Sequence, residues 1–242
     1  MRGLGTIINT VAIILGGILG LLFGKLISER FQETLKKTCG VCVLFVGISG
    51  ALEGMISVNS DGTVSSKKAL LVIVCMVLGA IVGELLNIED GFERFGAWLK
   101  AKTGSYKDNT FIEGFVSSSF TVCIGAMAIV GSIKDGIYGD YSILLTKSIL
   151  DFIIVMIMTG ALGKGCIFSA IPVAILQGTV TALSIFIIPI MTDVALLNLS
   201  TVGSILIFCV GLNLVWGKKV RVANMLPAII FAVIAAFLPF NI

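Results

Sequence analysis

Apolar runs of about 17 to 25 residues, separated by short polar connections, recur along the chain, and each is long enough to cross roughly 30 Å of hydrocarbon as a helix. Their polar flanks place eight of them at about residues 4–24, 38–56, 69–88, 111–133, 142–163, 166–190, 199–216 and 222–240. The pattern predicts an all-α polytopic transmembrane helical bundle of about eight spans, forming a single integral membrane domain over residues 1–242. Two spans carry interruptions, and losing either leaves seven. Consecutive serines in GFVSSSF open the fourth, and Pro172, Gly178 and Pro189 punctuate the sixth. In AIPVAILQGTVT the proline removes a backbone donor and Gln177, Gly178 and Thr179 fall where a freed backbone could unwind, so a broken helix is expected in span 6.

The connections are as informative as the spans. Lys25, Arg30, Lys36 and Lys37 occupy the first, Arg94, Lys100, Lys102 and Lys107 the third, Lys164 the fifth, and Lys218, Lys219 and Arg221 the seventh. Only Arg2, Lys67, Lys68 and Lys134 fall on the other side, so twelve cations face four, and the excess of positive charge predicts that both termini lie outside the cytoplasm. Within the third connection, IEDGFERFGAWLK places Ile88, Phe92, Phe95, Trp98 and Leu99 on one helical face, predicting an amphipathic helix over 88–100 that lies in the headgroup layer. TCGVCVLFVGISGAL (38–52) and TVGSILIFCVGLNLV (201–215) both read Thr-x-Gly, an apolar run with Phe, then Val-Gly, with one residue gapped. The expected topology runs these helices in opposite directions, the arrangement of an inverted repeat with halves of about 1–110 and 111–242.

Composition agrees with a bilayer as solvent. The 242 residues are 57% hydrophobic and 13% charged, with a mean hydropathy of +1.10, whereas soluble domains are about one quarter charged. The net charge of +3 comes from cations in connections rather than in a stripe with interleaved aromatics, which excludes nucleic-acid binding. Residues 1–27 have an apolar part of about twenty residues with no small-x-small cleavage site after it, and are expected to remain as the first membrane helix. The six cysteines lie in or beside apolar runs and read as small hydrophobes. Only Cys39 and Cys42 are close in sequence, and without histidine they lack the further ligands a metal site needs, so no metal or cofactor is expected.

Charged residues inside spans carry the candidate chemistry. Span 5 starts near Ser142, so Lys147 lies roughly 8 Å and Asp151 roughly 14 Å down a helix rising 1.5 Å per residue. Lys147 has a stem long enough to snorkel outward; the short side chain of Asp151 does not. A lipid-facing Asp at mid-helix costs about 2.5 to 3.5 kcal/mol on translocon scales, so Asp151 must face protein or water. Four residues apart, the two share a helix face. Two roles are open for them, binding of a cation or proton in a polar cavity or a buried pair that fixes helix contacts. Glu84 lies near the end of span 3, either in a pathway or at the interface. Uncharged polar residues accumulate inside other spans, among them Asn9, Thr10, Ser117, Ser118, Ser119, Thr121, Gln177, Thr179, Thr181 and Asn213. Small-xxx-small pairs, Gly16 with Gly20 and Gly79 with Gly83, mark close helix contact. Catalysis has little to work with. Zinc-protease HExxH and Ser-His or Cys-His pairs need the histidine the chain lacks, and GIYGD (136–140) fails the aspartyl intramembrane protease form at Ile137.

GTIINTVAIILGGILG, LGAIVGELLNIE, EGFVSSSFTVCIGAMAIVGSIKDGIYGD with LLTKSILDF, FSAIPVAILQG, and VGLNL with VRVANMLPA together resemble the domain-of-unknown-function 554 family of bacterial inner-membrane proteins (YdfK-like and YqgA-like). The resemblance covers nearly the whole chain. It implies a multi-pass integral protein of the bacterial cytoplasmic membrane, either a transport protein or a membrane protein of no stated role, and supplies neither substrate, mechanism nor catalytic residues. Family motif positions here include Glu84, Glu113, Cys123, Asp135, Lys147, Asp151, Gln177 and Asn224.

The expected site is internal and polar, formed by spans 1, 4, 5 and 6 from Asp151, Lys147, Gln177, Asn9, Ser118 and Thr121, with Glu84 as a further candidate. The expected function is passage of a small ion or solute, with proton or cation coupling through Asp151. A non-transporting structural or regulatory membrane protein is the rival reading. The expected partners are the lipid bilayer, the solute and, from the glycine-rich helix faces, a second copy of the chain.

Overall fold

The computed structural model describes residues 2–24, 26, 28–58, 62–66 and 68–238. Lys25 and Lys67 of the connections, and positions 239 and 240 of the expected last span, lie outside the described residues.

The elements in order are α1 (Leu4–Gly24), α2 (Glu29–Met55), strands β1 (Ile56–Val58) and β2 (Val64–Ser66), then α3 (Ala69–Leu86), α4 (Ile88–Lys102), α5 (Phe111–Cys123), α6 (Ala126–Tyr138) and α7 (Ser142–Leu162). A 3-10 segment, Lys164–Ser169, leads into α8 (Ala170–Ala182) and the short α9 (Ser184–Ile187), followed by α10 (Asp193–Trp216), α11 (Val222–Met225) and α12 (Pro227–Ala235). The fold is an all-α membrane bundle. Among the described residues six helices are long and apolar enough to cross a bilayer, and α5 with α6, bent by 61°, makes a seventh. The expected eighth, over α11 and α12, is a shorter apolar piece, Val222–Ala235. Leu226 is followed by Pro227, which has no N–H to give and so opens α12 as a new helix.

Helix contacts rest on glycine. A Cβ added at Gly16 would collide with the carbonyl of Phe152, at Gly20 with that of Met156, and at Gly24 would press on Gly160, so α1 and α7 run parallel with their backbones touching. Across α2 and α10 the partner number falls as the other rises: Gly40 meets Leu214 and Val215, Gly47 meets Phe208, Gly50 meets Ser204 and Gly54 meets Thr201. That pair is antiparallel. Gly79 against Ala228 and Gly83 against Asn224 set α3 antiparallel to the α11–α12 segment. Such close approach substitutes for the hydrophobic driving force that helices lack within lipid. The outward faces stay apolar, with Phe45, Ile73, Val77, Ile81 and Leu85 exposed, the inverse of a water-soluble surface. Inside, Val122, Val155, Met158, Val173, Leu206 and Leu214 form one continuous core.

Several elements differ from expectation. Helix α2 starts at Glu29 rather than 38, because Glu, Arg, Gln and Lys are good helix formers and carry the helix on beyond its apolar part. Helix α10 starts at Asp193 rather than 199, where the Thr192 hydroxyl accepts a hydrogen bond from the Ala195 N–H at 3.2 Å and caps it. A hairpin the apolar pattern gave no sign of pairs Ile56 with Ser66 and Val58 with Val64. Span 6 is not unwound at Gln177–Thr179. Helix α8 runs through them unbroken, because Pro172 sits in its first turn, where a missing N–H costs nothing. The break lies in span 4 instead, at Gly125, whose φ of 149° no side-chain-bearing residue adopts without strain. The three serines before it lie within unbroken α5, where Ser118 and Ser119 donate their hydroxyls to the Gly114 and Phe115 carbonyls one turn back.

Candidate functional site

Short turns fix the order of the four helices around the site. Three residues, 139–141, join α6 to α7, and Gly163 turns α7 into the segment leading to α8, so α6 and α8 both run opposite to α7 and to α1. The α1–α8 pair touches through the hydroxyls of Thr6 and Thr181, 3.4 Å apart. Asn9 lies three residues beyond Thr6 and Gln177 four residues before Thr181, so both amides fall one turn further in, at one level. Asp135 of α6 accepts hydrogen bonds from the N–H groups of Gly3 (3.1 Å) and Gly5 (2.9 Å), which anchors its carboxylate at the positive N-terminal end of α1. Ser132 is one turn back from it on α6, next to Gly131, which packs on Leu144 and Ile143.

Asp151 meets this layer from α7. Its Oδ1 accepts from Lys147 Nζ at 2.9 Å and its Oδ2 from Asn9 Nδ2 at 3.0 Å. Asp151 is 2% exposed and Lys147 8%. Lysine therefore does not snorkel: a carboxylate one turn along the same helix holds its ammonium inside. Each charge of such a pair depends on the other, because taking an ion out of water costs several kcal/mol and only its partner offsets this.

Around the closed pair, polar atoms remain unmatched. Gln177 is 1% exposed and neither its Nε2 nor its Oε1 has a partner within the protein, and the same holds for Asn9 Oδ1 and Ser132 Oγ. An unmet buried polar group costs about 1–3 kcal/mol. Three such residues stand on α1, α6 and α8, helices that pack on one another, and mark the polar chamber between them; a fourth orphan, Thr159 Oγ1, lies on α7. Asn9 touches both chamber and ion pair, accepting nothing at its oxygen while its amide holds Asp151.

Two cavities open along α8. One of about 480 Å³ is lined by Arg2, Thr6, Gly178, Thr181 and Ser184 among others. The other, of about 770 Å³, is bounded by Phe92 and Phe95 of α4, Pro172 and Ile175 of α8 and the break residues Cys123–Gly125.

Of the residues singled out in the sequence, Asp151, Lys147 and Asn9 come together on α7 and α1, and Gln177 lies on α8 one turn before Thr181, which meets Thr6 of α1. Ser118 does not join them: its hydroxyl donates to the carbonyls of Gly114 (2.6 Å) and Cys166 (3.3 Å), tying α5 to the segment before α8. Thr121 donates to the Ser117 carbonyl at 2.8 Å. Glu84 stands elsewhere, at the end of α3, where it takes Arg221 (2.6 Å) and Asn224 Nδ2 (2.5 Å). It belongs to a second knot in which Glu89 Oε2 accepts from the Ala223 N–H (2.9 Å), Asn224 Oδ1 accepts from the Glu89 N–H (2.7 Å), and Lys218 bridges Glu89 and Glu93. This knot clamps the start of α4 to α11. Thr6, Ser132 and Asp135 were not reached as site residues by sequence reasoning. Their signal was spacing, Thr6 three before Asn9 and Ser132 three before Asp135, which reads only once the neighbouring helices are known. Among the described residues no three Cys, Asp or Glu side chains gather as a metal site would require.

Comparison with known proteins gives a family and no activity. The model of a protein family of unknown function, DUF554, matches residues 4–237. The chain is 27% identical over 233 residues to the uncharacterized membrane protein YdfK of Bacillus subtilis, covering 96% of this chain and 95% of that protein. It is 29% identical over 233 residues to the uncharacterized protein YqgA of Escherichia coli, covering 95% of this chain and 94% of that one. No solved structure matches the chain.

Proposed function

Because the chain belongs to the DUF554 family of membrane proteins of unknown function, its activity has to be read from the site, and we propose that it passes a small solute or ion across the membrane through the Asn9–Gln177–Asp151 chamber. One observation carries this reading: the buried amide of Gln177 lacks any protein partner, one turn from the Thr181 hydroxyl that meets α1. A side chain kept only for helix contact would be matched or replaced by an apolar one, since cores tolerate few unmet polar groups. A ligand or ordered water that completes Gln177 and Asn9 accounts for both.

The chamber suits alternating access. The neighbours of Gln177 on α8 line two cavities, Gly178 one and Leu176 and Thr179 the other, and the echoing segments 38–52 and 201–215 belong to α2 and α10, which cross antiparallel with Gly47 on Phe208. An inverted repeat built around that crossing would exchange the two sides. Asp151 supplies the coupling in this scheme: a proton arriving there releases Lys147 and loosens the α1–α7 contact. The reading sets the protein in the bacterial cytoplasmic membrane and takes the α11–α12 segment, antiparallel along α3, as the eighth crossing, which leaves both termini outside, and does not require an enzyme.

The rival is a protein whose polar core only fixes its helices, favoured by the closure of Asp151 on Lys147 at 2.9 Å with Asn9 filling the second oxygen. Flux separates the two. Purified protein in liposomes is expected to raise permeability to protons or to small solutes in a swelling assay, and Asp151→Asn and Gln177→Leu to abolish the increase. Wild-type liposomes no more permeable than empty ones to any ion or solute in such a panel would favour the structural reading.

A further inference from the structure

The chamber and the 480 Å³ cavity are separated by very little. Thr6 and Thr181 line that cavity, their hydroxyls meet, and each lies one turn along its helix from Asn9 and Gln177 respectively. At 3.4 Å the pair is long for an O–H···O bond, which prefers about 2.7–2.8 Å. Gly178, the residue after Gln177, lines the same cavity, and a Cβ built there meets nothing within 4 Å. On the far side, the 770 Å³ cavity is walled mainly by Ile, Leu and Phe, so a hydrogen-bonding solute entering there would shed its water with little in return.

We infer that the Arg2–Thr6–Thr181 cavity is the mouth of the chamber, that the Thr6–Thr181 pair is its gate, and that the solute admitted is small, uncharged and hydrogen-bonding. This rests on the transport reading above and narrows its substrate. Charge decides the class. Both oxygens of Asp151 are taken, Lys147 is neutralised by it, and Asp135 is spent on the Gly3 and Gly5 N–H groups. An ion passing the two hydroxyls would find no free countercharge in this state, whereas the open valences, Asn9 Oδ1, Gln177 Oε1 and Nε2, and Ser132 Oγ, offer both donors and acceptors to a neutral molecule.

The test uses the full chain in vesicles with all six cysteines replaced by alanine and one cysteine returned at a time. Gly178→Cys is expected to react with a membrane-impermeant cationic methanethiosulfonate only from the face on which Arg2→Cys reacts. Gln177→Cys is expected to react slowly with neutral methyl methanethiosulfonate. Adding Thr6→Ala and Thr181→Ala should speed that reaction about ten-fold, the shift that losing about one hydrogen bond allows, while cationic and anionic reagents gain far less. Asn9→Cys repeats the measurement should Gln177→Cys fail to run as a single species on size exclusion. Labelling of Gly178→Cys only from the opposite face, or an unchanged rate at the chamber position in the double variant, overturns the gate. Equal acceleration by charged reagents overturns the uncharged class. Solute flux without any gate effect on labelling sinks this inference and leaves the transport reading standing; labelling as expected without flux to any solute sinks the transport reading instead.

Discussion

Asp151 and Gln177 answer to opposite thermodynamic tests. Asp151 is matched, so removing it strands Lys147: Asp151→Leu is expected to lower stability by about 3–5 kcal/mol, and the double variant Asp151→Leu with Lys147→Met to recover most of it. Thermal melts of the four proteins in one detergent make the double-mutant cycle. Gln177 is unmatched, so in protein stripped of its ligand Gln177→Leu is expected to be neutral or to raise stability by about 1–3 kcal/mol while abolishing flux. Stability gained where activity is lost marks a residue kept for function. The sequence already exposed these two residues, because a carboxylate and an amide inside apolar runs stand out against their neighbours. It did not distinguish the satisfied one from the orphan, since that depends on neighbours brought in by the fold, such as Asn9, 142 positions before Asp151.

At the scale of elements, helix existence followed from apolar runs, and helix breaks did not. Proline at 172 looked disruptive and is harmless in a first turn, whereas Gly125, one glycine among 28, carries the bend. Gly125→Ala forces φ near +149° on a residue with a Cβ and is expected to cost about 1–3 kcal/mol; a melt lowered as little as for a surface substitution would argue against the break. The clamp at α4 was likewise out of sight. Glu84, Glu89 and Asn224 meet across more than 130 positions through mutual capping, a geometry no local pattern announces. Asn224→Ala removes the acceptor at the start of α4 and a donor to Glu84, and is expected to destabilise by about 1–2 kcal/mol. Limited proteolysis in the 103–110 connection should quicken as α4 loosens.

The molecule as a whole is two layers of evidence about symmetry and sidedness. The echo between 38–52 and 201–215 was visible as letters, and those segments turn out to lie on one another along a line of glycines, which no single-helix pattern could have announced. Charge counting gave a sidedness that fusions can check: alkaline phosphatase attached at either terminus is expected to be active and the same enzyme inserted near Lys107 to be silent, and the reverse pattern would turn both cavities around. What ties these scales together is a chamber with unmet hydrogen bonds at the depth where α1, α6, α7 and α8 converge. The most direct measurement is an experimental density map of the protein in nanodiscs that resolves ordered water. Non-protein density within hydrogen-bonding distance of Gln177 Nε2 and Oε1 and of Asn9 Oδ1 is the expected result; a Gln177 amide turned onto protein partners in a chamber closed to any such density would contradict the account.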